Sequence, residues 1–376
     1  MRQYIASITV KSAFPVRIIV ALGVSLFVLA ASMPSAAQFY EQTNLVSDVA
    51  GYAAFTDTNL VGAWGVTHLA TSPWWVNSTM GHVSLLFNGA GQPLPVVVAV
   101  PPTNVSTPTG IASYAGDGFQ VGSNLPSRFI FVTLNGTISG WNPNQADRTV
   151  AVLAVDNSAT SSYTGVAIAQ QNGQDLLYAA NFGQGTIDVF DTNFNAVVFA
   201  AGAFADRRVP AGLTVFNVQL LGSDLYVTYA PTNVFSTFGG LGQGWVDAFD
   251  VNGMLERRLT YGFWMNAPWG VALAPANFGP FSNDILVGMF GNGAIVGFDA
   301  KHGHFRGFLK ATDGLPLRID KGLWGLGFGN GASAGPTNTL YFATDFSFAG
   351  AFHGLFGALT VAPGGDQDND HDDQGK

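Results

Sequence analysis

Amides, carboxylates and indoles that recur at one place in a repeating pattern are the residues best suited to chemistry here. Five short apolar runs carry Gly65, Gly110, Gly165, Gly270 or Gly325 in second or equivalent place, and in a sixth run Asn217 takes the place of the glycine. The apolar runs that follow end on Asn77, Asn181, Tyr229 and Asp345. Amide and carboxylate oxygens facing one axis suit a hard cation such as calcium, which makes Asn181, Asn217 and Asp345 the candidate metal ligands. The residue just before the Gly or Asn is Trp64, Trp269 or Trp324 in three runs and Phe216 in a fourth. Indoles at such a rim can stack on a sugar or another flat ligand. Each feature also has a plainer reading, in which the amides bond backbone in a closed channel and the tryptophans pack between structural elements.

Other motifs are weaker. "GASAG" (331–335) matches G-x-S-x-G, but it lies between two strand-like runs, without the strand–turn–helix elbow that would expose Ser333 as a nucleophile. "KHGHF" (301–305) sets His302 and His304 two apart, as metal ligands on a strand can be, although Gly303 reads as a solvated turn. The acids of "GGDQDNDHDDQGK" (364–376) lack the sixth-position glycine and terminal glutamate of a calcium loop, so the segment reads as a disordered, solubilising tail.

The elements that position these residues are legible in the repeat. "WGVTHLA", "TGIASYA", "TGVAIAQ", "FNVQLL", "WGVALAP" and "WGLGFGN" begin at 64, 109, 164, 216, 269 and 324, a spacing of 45 to 55. Each is followed by an apolar run such as "LLYAANF" and then by a third such as "GTIDVFD" (185–191), with a variable fourth after it. Four short strands in a period near 50 predict one blade of a β-propeller, and six units predict an all-β, six-bladed propeller over 38–363. The sixth unit lacks a fourth strand, while "FYEQTNLVSDV" (39–49) stands unassigned ahead of the first. That N-terminal strand is expected to complete the last blade, closing the ring and hiding its edges. Asn88, Asn142, Asp191, Asp250 and Asp299 recur after the third strands, where Asx turns are expected, with Gly89, Gly91, Gly253 and Gly303 supplying positive φ.

Composition narrows the class. Residues 1–37 combine Arg2, Lys11 and Arg17 with the apolar run "IIVALGVSLFVLAA" and small residues before Gln38, the pattern of a secretory signal peptide. Its removal predicts a secreted or periplasmic protein without an integral membrane segment, since no later run is long enough to span a bilayer. Beyond the leader, 12 basic residues face 24 acidic ones, which argues against a nucleic-acid partner. Cysteine is absent, so an exported chain of this kind must be held by burial alone.

Long stretches, including "QTNLVSD" (42–48), "NLVGAWGV" (59–66), "LYAANFGQGTIDVFD" (177–191), "APWGVALAPANFG" (267–279) and "GLWGLGFGNGASAGPTNTLYFATD" (322–345), resemble an uncharacterised family of exported bacterial proteins. The resemblance spans 39–361 and implies no assigned activity. At the level of single blades the chain also looks like propellers with NHL-type repeats and calcium-dependent sugar lactonases, which implies fold rather than function. Two functions are therefore expected to compete: a non-catalytic module that binds a protein or a glycan, and a calcium-type hydrolase or lactonase of small sugar or carbonyl compounds with its site in the channel.

Overall fold

A computed structural model describes residues 39–122 and 124–362. The leader expected at 1–37 and the acidic tail at 364–376 lie outside the described residues.

Short apolar runs bounded by turn residues form antiparallel sheets of four strands, as their alternation dictates, and in blade 6 the short strand Phe55–Thr56 adds a fifth, parallel to Tyr40–Ser47. From the axis outward, blade 1 is Ala63–Thr67, Trp74–Ser78, Val83–Phe87 and Pro93–Ala99. Blade 2 is Pro108–Ser113, Phe129–Thr133, Thr137–Trp141 and Val152–Asp156. Blade 3 is Tyr163–Gln171, Gln174–Asn181, Thr186–Phe190 and Ala196–Val197. Blade 4 is Leu213–Leu221, Asp224–Pro231, Trp245–Phe249 and Leu255–Arg258. Blade 5 is Pro268–Leu273, Asp284–Met289, Ile295–Asp299 and Phe305–Phe308.

Blade 6 takes Leu323–Phe328, Leu340–Phe348 and Ala351–Val361 from the end of the described chain and Tyr40–Ser47 from its start. Tyr40 pairs with Val361 and Ser47 with Leu355, antiparallel. The ring is thus closed by the N-terminal strand, as the count of runs requires. The protein is an all-β, six-bladed propeller, and no helix among the described residues is long and apolar enough to cross a membrane.

The core lies in the seams. Val76, Phe87, Tyr341 and Phe356 fill the seam between blades 6 and 1, and Trp75, Phe129, Phe131 and Trp141 that between blades 1 and 2. Equivalent clusters occupy each of the other four seams. Burial between sheets replaces the disulfides that the chain lacks.

The recurrent polar residues are scaffold. The side-chain oxygens of Asn88, Asn142, Asp191, Asp250 and Asp299 each accept backbone N–H groups two to five residues on, at 2.7–3.0 Å. Gly91, Gly253 and Gly303 have positive φ as expected, whereas Gly89 does not. Its reason is space: a Cβ there would meet the backbone of Ala334 at 2.8 Å and press still closer on Gly335. One strand falls short of expectation. In "AVVFAAGA" (196–203) only Ala196 and Val197 pair, and the chain leaves the sheet as a long loop with Val198 fully exposed.

Candidate functional site

The inner strands share one irregularity that explains the positions singled out in the sequence. Blades 1, 3, 4, 5 and 6 each shift register along the inner strand at the residue pair containing Gly65, Gly165, Asn217, Gly270 or Gly325. In blade 2 the shift likewise spans Gly110, between Pro108 and Ile111. A bulge bends the strand and re-aims the flanking side chains. Here it brings neighbouring inner strands into backbone contact: a Cβ on Gly110 would lie 2.7 Å from Gly165 Cα, and one on Gly325 2.7 Å from Trp64 O. Gly65 and Gly270 approach Thr109 O and Trp324 O more closely still.

Asn217 completes this ring. It is 2% exposed, its Nδ2 donates to Trp269 O at 2.9 Å, and its Oδ1 occupies the space a Cβ on Gly165 would need. The amide therefore seals the axis between blades 3 and 5, as the plainer reading has it.

The aromatics one residue earlier gather at the axis. Trp64 and Trp324 stack with ring centroids 3.5 Å apart and planes 16° from parallel. Trp269 stands edge-on to both, at 6.3 and 5.9 Å, and its Nε1 donates across the axis to Thr164 O at 3.2 Å. Phe290 lies 4.2 Å and Phe216 5.5 Å from Trp324. This buried cluster floors a cavity of about 270 Å³, lined by Trp64, Trp324, Phe290, Phe235, Phe238, Phe352, Met80 and Asp345 among others. Met80, Phe235 and Phe352 stand exposed on its wall.

Among the described residues, Asp345 is the only ionisable side chain lining the cavity. Its Oδ2 accepts the Trp324 Nε1 proton at 3.1 Å. Burial pushes the carboxyl up to about 7, with the Trp324 hydrogen bond pulling the other way. Gly322, at φ 91°, leaves the room in which the carboxyl sits, since any side chain there would collide with Oδ1. Trp64 Nε1 is buried with no hydrogen-bond partner in the protein. The cavity thus offers aromatic faces, one unpaired indole N–H and one carboxyl.

The remaining candidates answer to other neighbours. Asn77 is fully buried and donates to Thr109 O and Gly110 O at 2.9 and 3.2 Å, tying blade 1 to blade 2. Asn181 accepts from the backbone N–H of Ser162 and Gln184 and donates to Ser161 Oγ and Asp188 Oδ2. Tyr229 lies in the seam of blades 3 and 4, bordering a side cleft of about 520 Å³ that Asp188 and Asp206 also line. Burial raises its phenol well above the usual range, with Asp247 and Asp206 adding to the effect. Asn181, Asn217 and Asp345 have no hydrogen-bond partner in common: the two amides hold neighbouring strands and loops, and the carboxyl receives Trp324.

The group of His, Asp and Glu atoms close enough to hold a metal, among the described residues, is Asp299, His302 and His304 on the blade 5 edge, exposed to solvent. Two imidazoles favour a transition metal over calcium. Ser333 sits in an exposed loop and its carbonyl accepts the Gly89 N–H; among the described residues no histidine hydrogen-bonds its hydroxyl.

Sequence reasoning missed Phe235, Phe238, Phe290, Phe352 and Met80. For the first two a signal existed. The stretch 232–244 between the second and third strands of blade 4 is long beside 182–185 in blade 3, and it folds into the helical turn Val234–Thr237 that carries Phe235 over the axis.

A six-bladed propeller closed at its axis by backbone, with an aromatic cavity above the seal, is the class of protein that this geometry defines. No known family profile matches the chain. It is 32% identical to the uncharacterized protein R648 of Acanthamoeba polyphaga mimivirus over 75% of this chain and 72% of that one. It is 31% identical to the uncharacterized protein L690 of the same virus, over 75% and 77%. The chain belongs to the family of these two proteins. These relatives are viral, where the resemblance read from the sequence pointed to exported bacterial proteins, and they are likewise uncharacterised. Among solved structures, a glucose dehydrogenase matches with a TM-score of 0.50 at 10% identity over 86% of this chain and 99% of that one. A luciferin-regenerating enzyme matches at 0.47 and 13% identity, over 86% and 96%. At such identity the first likeness shows the fold alone.

Proposed function

We propose that this protein is a binding module that takes an apolar, flat ligand, or an apolar side chain of a protein partner, at the axial mouth of the propeller. One observation carries the reading: the stacked Trp64–Trp324 pair floors a cavity of about 270 Å³ whose wall bears exposed Met80, Phe235 and Phe352. Exposed apolar side chains around a preformed apolar hollow are characteristic of a binding site. A glycan would also stack on the indoles, but it needs several polar partners for its hydroxyls, and the lining offers few besides Asp345, Thr79 and Thr107. The hydrolase reading needs converging metal ligands, and Asn181 and Asn217 are held by other groups. Export through the leader belongs to the same proposal; N-terminal sequencing of the mature protein, expected to begin at Gln38, tests it.

The binding test is a calorimetric titration of the full chain with a neutral aromatic probe, phenethyl alcohol, beside Trp64→Ala and Phe352→Ser. Saturable binding lost in both variants is expected. Binding untouched by both substitutions contradicts the proposal.

A further inference from the structure

We infer that the ligand of the axial cavity carries a cationic amine on an apolar body, with its ammonium group set against Asp345. This rests on the reading of the cavity as a binding site and adds the charge of what it holds.

A carboxylate taken out of water is costly unless a cation or several donors compensate it. Asp345 receives one side-chain donor, Trp324 Nε1, and no Lys, Arg or His forms an ion pair with it among the described residues. Asp320 and the exposed Lys321 line an adjoining hollow that Asp345 also borders; there Asp320 accepts the Tyr52 hydroxyl proton at 2.9 Å, and Lys321 makes no ion pair with Asp345. His353, on the strand paired with that of Asp345, binds Asp48 at 2.7 Å. Among the described residues no cationic side chain lines the axial cavity itself.

The rest of the lining suits one. Faces of Trp and Phe attract an ammonium group through the ring quadrupole, and the effect grows when the cation is desolvated. Trp64, Trp324, Phe290, Phe238 and Phe352 all border the cavity. A neutral ligand would leave the carboxyl with the Trp324 hydrogen bond and no compensating charge, and an anion would be repelled by it. The protein's net charge of −9 biases the approach of ligands in the same direction.

Three probes of one shape test this: phenethylammonium, phenethyl alcohol and phenylacetate, titrated by calorimetry into the full chain and into Asp345→Asn. The amine is expected to bind at least about tenfold more tightly than the alcohol, and the acid most weakly. Asp345→Asn, which keeps an acceptor for Trp324, is expected to abolish the amine's advantage over the alcohol. Amine and alcohol binding equally to the natural chain would overturn the inference and leave the cavity a binding site. Failure of all three to bind would overturn the cavity reading as well. The ranking on the natural chain stands whether or not the variant folds.

Discussion

The two halves of the axial ring are built from the same strand and bulge but with different residues. In blades 2 and 3 the position before the glycine is Thr109 or Thr164, each fully buried. Thr109 Oγ1 donates to backbone at Tyr163 O, 2.7 Å away, and Thr164 O receives Trp269 Nε1 from the far side. In blades 4, 5, 6 and 1 the same position holds Phe216, Trp269, Trp324 and Trp64. The threonine half is closed on its own backbone. Trp64 and Trp324 supply the floor of the cavity, whose lining also takes Thr107 and Leu134 beside blade 2. The same bulge thus closes the axis in every blade, and it adds a cavity floor where the side chain before it is Trp64 or Trp324.

Substitutions on the two sides should separate them. Trp64→Ala is expected to cost about 4 kcal/mol by removing a buried indole from a stack, and to abolish probe binding. Thr164→Ala, which alters the seal without touching the cavity, should cost about 1 kcal/mol and leave binding intact. Chemical denaturation of both, with a probe titration, makes the comparison. A Thr164 variant that loses binding would mean that the halves are not distinct.

Next in size is the seal itself. Gly165→Ala forces a Cβ into Asn217 and should cost about 3 kcal/mol. Adding Asn217→Gly should recover part of that loss, since the remaining conflict is with Asn217 Cα at 2.9 Å. A double variant no more stable than Gly165→Ala would place the strain elsewhere.

A smaller effect separates two acids, one fully buried and one half-buried. Asp247, in the closed seam beside Tyr229, is fully buried; desolvation pushes its carboxyl up to about 7 despite the proton donated by Trp245 Nε1. A native value above the unfolded one means that the native state holds the extra proton between roughly pH 4 and 7. Its contribution is therefore whole at low pH and is lost as pH rises toward 7. Asp247→Asn should melt higher than the natural chain at pH 8, by about 2 kcal/mol against a linkage ceiling near 4, and close to it at pH 4. The same sign at Asp345 should vanish when an amine fills the axial cavity, while that at Asp247 should persist. Smallest of all, His302→Ala with His304→Ala should shift stability by less than about 0.5 kcal/mol, because both rings lie on the exposed blade edge. A larger loss in a melt without metal would give that edge a structural role.

The scaffold was legible because it repeats. The glycines, the Asx turns after the third strands and the unassigned N-terminal strand all follow from period and alternation. Trp64, Trp269, Trp324 and Asp345 were legible as departures within a repeat, and they meet. Asn77, Asn181 and Tyr229 look the same in the sequence but do not join them, since residues ending equivalent strands can bond along the strand, across a seam or toward the axis, and the period does not distinguish these directions. The wall could not be read from the period at all. Phe235 and Phe238 come from an insertion in blade 4, Met80 from a turn of blade 1, and Phe352 from the hairpin extension of blade 6.

The most direct measurement is a crystal structure of the full chain with phenethylammonium. The account predicts the ring against Trp324 and Phe352, with the ammonium nitrogen within hydrogen-bond distance of Asp345. A probe found in the side cleft beside Asp188, or at the Asp299 edge with the axial cavity empty, would contradict it.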